Sequence, residues 1–212
     1  MFGLSPANAA ITGAVAAIAA PLIFNAIKEY YFDLKKRNAE RSYISVQLVF
    51  LLDKFAGDCA EVSWDRGFDE SGPEPDSPEY LEVQVQPHEF DMSTVKGEYK
   101  YLEPSLIYRL QSIDVELLKV KQRLREMTIN PNFGAEFMDE YILLRRELYA
   151  DVGLTVVQLS ADIRAKLKID VDHGWSPKES LLRSKAHIWR IKSRGALRRM
   201  ERKAQNKMRL PF

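Results

Sequence analysis

Residues 7–27, ANAAITGAVAAIAAPLIFNAI, carry no charged side chain, and Lys28, Tyr30, Tyr31, Lys35, Lys36 and Arg37 follow at once. A run of about 20 uncharged, largely apolar residues matches a hydrocarbon core about 30 Å thick. Three readings compete for it. A cleavable secretory signal needs a basic start, but residues 1–7 hold neither Lys nor Arg, and Pro21 falls where a cleavage site would be sought. A buried core helix suits the weakly apolar Ala content and Pro21, yet soluble core helices rarely run so long without a charge. The remaining reading is a transmembrane helix. Basic residues lie only on its carboxyl-terminal side, so the positive-inside rule turns the short amino terminus outward and the body toward the cytoplasm. The expectation is a single-pass protein of the inner (cytoplasmic) membrane, with the lipid bilayer as its first partner. Within the run, Ala9, Gly13 and Ala17 recur every four residues, a small-residue spacing that lets membrane helices approach and self-associate, although an Ala-rich span shows such spacing by chance.

Beyond the anchor, residues 22–56 contain neither Gly nor Pro, so the helix can continue unbroken into the body. Over residues 42–62, Ile44, Leu48, Leu52, Phe55, Cys59 and Val62 fall at spacings of three and four, the mark of one apolar helical face. Cys59, the only cysteine, therefore reads as a small buried hydrophobe; it excludes an intramolecular disulfide and a Cys-rich zinc site.

Charge is segregated within a chain whose formal net charge is only +1. Residues 63–103 carry 11 acidic and 3 basic side chains, a net of −8, and residues 177–212 carry 12 basic and 2 acidic, a net of +10. The acidic stretch is broken by Gly67, Gly72, Pro73, Pro75, Pro78 and Pro87 and reads as a solvated loop. Inside it Leu81, Val83 and Val85 alternate with Glu82, Gln84 and Gln86, as in a short strand or an extended segment laid over a helical core.

After Pro104 the periodicity is clearest. Leu106, Leu110, Ile113, Leu117, Val120, Leu124 and Met127 form a heptad seam, and Asn130-Pro131-Asn132 closes it. A second helix carries Phe137, Tyr141, Leu144 and Leu148, then Val152, Val156, Leu159 and Ile163. The four-residue step from Leu148 to Val152 shifts the seam, so a helical hairpin packed on the 42–62 helix is expected in place of a long coiled coil. The fold class is all-α: a transmembrane helix continuing into a three-helix, bundle-like cytoplasmic body, plus a basic amphipathic helix. The segments are 1–37 for the anchor, 38–169 for the body with its acidic loop, and 170–212 for the tail.

The tail opens on Asp170, Asp172 and His173, a polar turn lacking a further ligand for a metal site. From Pro177 a helix places Leu182, Ala186, Trp189, Ala196, Met200 and Ala204 on one face. Arg183, Lys185, Arg190, Arg194, Arg198, Arg199, Arg202 and Lys203 supply an anionic-surface-binding set. Each basic residue close to an anionic leaflet contributes on the order of 1 kcal/mol. The same charge could neutralise phosphates, making nucleic acid the alternative partner, though Trp189 is the only aromatic residue between Pro177 and Pro211 for base stacking. A solvated helix balanced by the acidic loop is the third reading.

Three stretches, LDKFAGDCAE (52–61), YLEPSL (101–106) and GLTVVQLSADIR (153–164), together resemble a group of uncharacterised bacterial proteins with one amino-terminal membrane span and a small helical cytoplasmic body. The resemblance implies the architecture and transfers no site. His88, His173 and His187 lie in separate segments, with no phosphate loop and no nucleophile motif, so no catalytic residue, cofactor, metal or small-molecule substrate is assigned. The function expected is a membrane-anchored interaction or scaffold protein, with a second copy or another protein meeting its helical faces, and not an enzyme.

Overall fold

The computed structural model describes the backbone over residues 6–69, 71–170 and 176–208, and side chains over 23–69, 71–170, 176–198 and 200. Four α-helices, α1 (Pro6–Trp64), α2 (Pro104–Thr128), α3 (Met138–Leu167) and α4 (Pro177–Met208), are joined by loops containing four short 3-10 turns. No strand occurs among the described residues, so the chain is all-α.

Helix α1 is 59 residues long and runs through Pro21 without a break, as expected where no Gly or Pro follows between 22 and 56. Its first part stands clear of the body: every side chain over residues 23–39 is exposed. From residue 44 it enters the core, and Ile44, Leu48, Leu52, Phe55, Cys59 and Val62 are all buried. No helix among the described residues is long and apolar enough to cross a membrane. Most of the 7–27 run, with Ala9, Gly13 and Ala17, lies outside the described side chains.

The expected hairpin is present. Pro104 occupies the first turn of α2, where its fixed φ favours the helix and its missing N–H costs no bond. Leu110, Ile113, Val120 and Leu124 are buried, while Leu106, Leu117 and Met127 are partly covered. The chain then reverses through the Asn130 carboxamide, which accepts from Asn132 N at 3.0 Å. Helix α3 ends on Lys168, whose φ of 57° is the left-handed turn that stops many helices.

Two features depart from a three-helix body. Helix α3 is central and buried on more than one side, touching α1, α2 and α4. Helix α4 joins the core through Leu181, Ser184 and Ile188, a face different from the Leu182, Ala186 and Trp189 stripe, which is exposed. Gly153 of α3 explains the seating. A Cβ there would lie 2.8 Å from Cys59 Cβ and 2.9 Å from Leu181 Cδ2, so the missing side chain is the space in which three helices meet.

The 81–88 alternation belongs to an extended segment laid over the helices, not to a paired strand: odd positions turn inward, even positions outward. Phe90, Val95 and Leu102 continue into the core, with Phe90 packed on Phe55 at 5.3 Å between ring centroids. Gln47 of α1 fastens the end of this segment. Its Nε2 donates to Lys96 O at 2.9 Å and its Oε1 accepts from Lys96 N at 3.0 Å.

Candidate functional site

Most of the buried polar residues gather at the carboxyl-terminal end of α1. Ser63, Asp65, Arg145, Arg146 and Ser184 are each buried, and they come from α1 and the turn after it, α3 and α4. Asp65 Oδ1 accepts from Gly67 N at 2.8 Å, and its Oδ2 accepts from Gln84 N and Val85 N, each at 3.1 Å. Arg145 Nη1 donates to the same Oδ2 at 3.0 Å, and Nη2 donates to Val85 O. One carboxylate and one guanidinium thus pin the extended segment to α3. Arg146 Nε donates to Ser63 O at 2.9 Å, and Ser184 Oγ donates to the same carbonyl at 2.6 Å, which ties α4 to the last turn of α1.

His187 closes this node. Its Nδ1 lies 3.2 Å from Arg146 Nη2, and its ring packs against Trp64 at 5.8 Å, while Trp64 Nε1 donates to Ser180 Oγ at 3.0 Å. A guanidinium has no acceptor, so Nδ1 must accept and the ring carries its proton on Nε2. Desolvation first, then the charges of Arg146, Arg66, Arg190 and Arg194, hold the His187 pKa below its ordinary value. The unfolded chain therefore takes up this proton before the folded one does. The contribution of neutral His187 is complete above the unfolded pKa of about 6.5 and declines as pH falls below it. Thermal melts between pH 7.5 and 5.0 should show a fall in Tm whose upper part is flattened by His187→Gln; an unchanged profile in the variant would remove His187 from this role.

A cavity of about 430 Å³ adjoins the node. Its wall mixes Arg66, Arg146 and His187 with Glu74, Asp76 and Asp139, and Arg66 already meets Glu74 at 3.1 Å, so it favours neither anion nor cation. Cys59 is buried, and desolvation, reinforced by the neighbouring Asp58 carboxylate, pushes its thiol pKa far up, which removes thiolate character. Among the described residues no cluster of three metal-ligating side chains occurs. Asp172 and His173 of the tail turn lie outside them.

The basic set on α4 divides. Lys185 pairs with Asp151 and Lys192 with Glu147, both on α3, and Arg183 pairs with Glu179 on its own helix at 3.3 Å. The ion pairs of α4 thus go to α3 and to itself, and none among the described residues reaches the acidic loop. Arg190, Arg194 and Arg198 are exposed and form no ion pair among the described residues. Arg199, Arg202 and Lys203 lie outside the described side chains.

Direction matters as much as charge. Asp65 meets Arg145 while Asp53 meets Arg164, so α3 runs antiparallel to α1. Leu181 lies at Gly153 and Lys192 at Glu147, so α4 runs antiparallel to α3 and parallel to α1. The basic half of α4 therefore leaves the body at the end opposite the projecting residues 23–39.

Comparison of this all-α chain with protein-family models, curated proteins and solved structures finds no match.

Proposed function

We propose that the protein is a single-pass membrane-anchored interaction protein, oriented with its helical body in the cytoplasm. The observation that carries this reading is the exposed stretch of α1 over residues 23–39. An isolated helix that packs on nothing is marginal in water, since most helical stability in proteins comes from burial of a face. Here the exposed helix continues directly from the uncharged run, and it bears Tyr30, Tyr31 and Phe32 among Lys28, Lys35, Lys36 and Arg37. Aromatic rings at headgroup level with basic residues on the cytoplasmic side are the usual boundary of a membrane helix.

The direction of α4 supports a refinement. With α1 upright, residue 64 is about 55 Å along the helix axis from residue 27. A Debye length at physiological ionic strength is about 8 Å. The Arg190, Arg194 and Arg198 side chains then lie beyond the field of the leaflet that holds the anchor and are offered to a polyanionic partner in the cytoplasm. This direction favours nucleic acid as a second reading for the tail.

Alkaline extraction tests the anchor. The full-length chain should stay with the membrane, and a chain lacking residues 1–27 should be released. A full-length chain that washes off would overturn the proposal. Duplex DNA bound by the shortened chain at low salt, with affinity falling steeply as salt rises, would favour the second reading.

A further inference from the structure

The outer face of α1 carries a second apolar pattern that the body leaves uncovered. Phe32, Lys36, Ala39, Tyr43, Val46 and Phe50 alternate spacings of four and three. They lie on the side of α1 away from Ile44, Leu48 and Leu52, which face the core. All six are exposed, and Phe50 is 71% exposed and Phe32 57%, high for aromatic rings on a helix built into a core. Such a four-three row is the seam of a two-stranded coiled coil. With Tyr43 and Phe50 at a positions and Phe32, Ala39 and Val46 at d positions, Lys36 becomes the one charged seam residue between Phe32 and Phe50; Glu29, the preceding a position, is also charged, so the apolar seam begins at Phe32. A single polar or Lys residue at an a position is a known determinant of register and strand number, obtained at some loss of stability.

The flanking charges decide what covers the seam. In this register Lys28, Lys35 and Ser42 occupy g positions, and Asp33, Glu40 and Gln47 occupy e positions. In a parallel pair each g residue faces the e residue five positions on in its partner, which matches Lys28 with Asp33 and Lys35 with Glu40. An antiparallel pair would set g against g and e against e, bringing like charges together. Asp33 also holds Arg37 of its own helix at 2.5 Å, whereas Lys35 and Glu40 form no ion pair among the described residues. We infer that a second copy of this chain packs in parallel along the outer face of α1 between residues 32 and 50, forming a two-fold dimer. The approach is open over residues 23–39, where every side chain is exposed; nearer Phe50 the body reaches both flanks of the seam, with Val49 at g buried and Gln47 at e holding Lys96. In this register Ala9, Gly13 and Ala17 fall off the seam, so the dimer does not depend on small-residue packing within the 7–27 run. It supplies the exposed helix with the partner that the monomer lacks, whether or not that helix is also anchored.

Site-directed disulfide formation in the full-length chain tests the inference, because in a parallel, in-register pair each d position faces its own copy. Ala39→Cys should crosslink rapidly on mild oxidation. Leu34→Cys, at an f position on the far side, should not. The native Cys59 is buried and stays silent. In the Ala39→Cys background, Lys35→Glu should slow crosslinking by about fivefold, and adding Glu40→Lys should restore it, because the pair recurs twice across the two-fold. Equal crosslinking of the Ala39→Cys and Leu34→Cys chains, or none with Ala39→Cys, would overturn the dimer. The chain is assayed in whichever fraction it occupies after alkaline extraction. A soluble chain that still crosslinks through Ala39→Cys would therefore sink the anchor and leave the dimer standing.

Discussion

Replacing Asp65 with Ala should lower the stability of the body by about 3–5 kcal/mol, the range expected when one partner of a buried ion pair is removed. The carboxylate accepts from three backbone N–H groups and from Arg145, and its side chain has no exposed surface. Without it a buried guanidinium loses its counter-charge, and the N–H groups of Gly67, Gln84 and Val85 lose their acceptor. Arg145 still reaches Val85 O, so the extended segment is expected to loosen before the helices separate. Urea titration should show a midpoint shift, and hydrogen exchange should show early loss of protection at Gln84 and Val85. Asp65→Asn should fall between, because a carboxamide oxygen retains part of the acceptor geometry without the charge. Arg145→Met alone should also destabilise, by leaving the carboxylate buried, while the double variant Asp65→Ala with Arg145→Met should recover part of the loss. A midpoint for Asp65→Ala within experimental error of the parent would show that the pair is not needed to hold the segment.

That pair was not legible in the sequence, and the reason is physical. Asp65 stands at the head of a stretch whose net charge is −8, and summed charge describes how a loop meets water without marking which carboxylate leaves it. Arg145 and Arg146 follow Leu144 in a helix whose apolar row is otherwise regular, and by composition both read as solvated. Their burial becomes necessary only once α3 is central, with α1 on one side and α4 on another. The local hint was Asp65 two residues before Gly67, a pattern in which a carboxylate accepts a nearby backbone N–H. It signals a turn, not a partner eighty residues away.

The helices themselves were largely legible. The rows at Ile44 through Val62 and at Leu106 through Met127 are covered as their spacing requires, because a long apolar stripe on a helix has few alternatives to burial. Helix α4 shows where this reasoning stops. Its longest apolar row contains Leu182, Ala186 and Trp189, yet the docked face is Leu181, Ser184 and Ile188. Periodicity ranks faces by hydrophobic content, whereas docking selects the face that fits the receiving surface. Here that surface offers the notch at Gly153 and the carbonyl of Ser63, which suit a Leu and a Ser. Neither could be read from α4 alone.

Gly153→Val should therefore dislodge α4 and destabilise the body by about 1–3 kcal/mol through overpacking, despite the removal of a glycine from a helix interior. A Cβ at residue 153 would approach Cys59 Cβ and both Leu181 δ-methyl groups at 2.8–3.0 Å, closer than packed carbons stand. The Cys59 contact lies next to the α1 backbone and cannot turn away, whereas Leu181 can be shortened. Leu181→Ala alone should cost about 2–5 kcal/mol by opening a cavity. Combined with Gly153→Ala it should cost less than the two single changes added, since the new methyl group fills part of that cavity. Loss of α4 would also separate His187 from Arg146 and Trp64, so the fluorescence of Trp64 should change along with the melting temperature. Full additivity in this cycle, or a stabilised Gly153→Val, would mean that the three helices do not meet at this glycine as closely as their spacing requires.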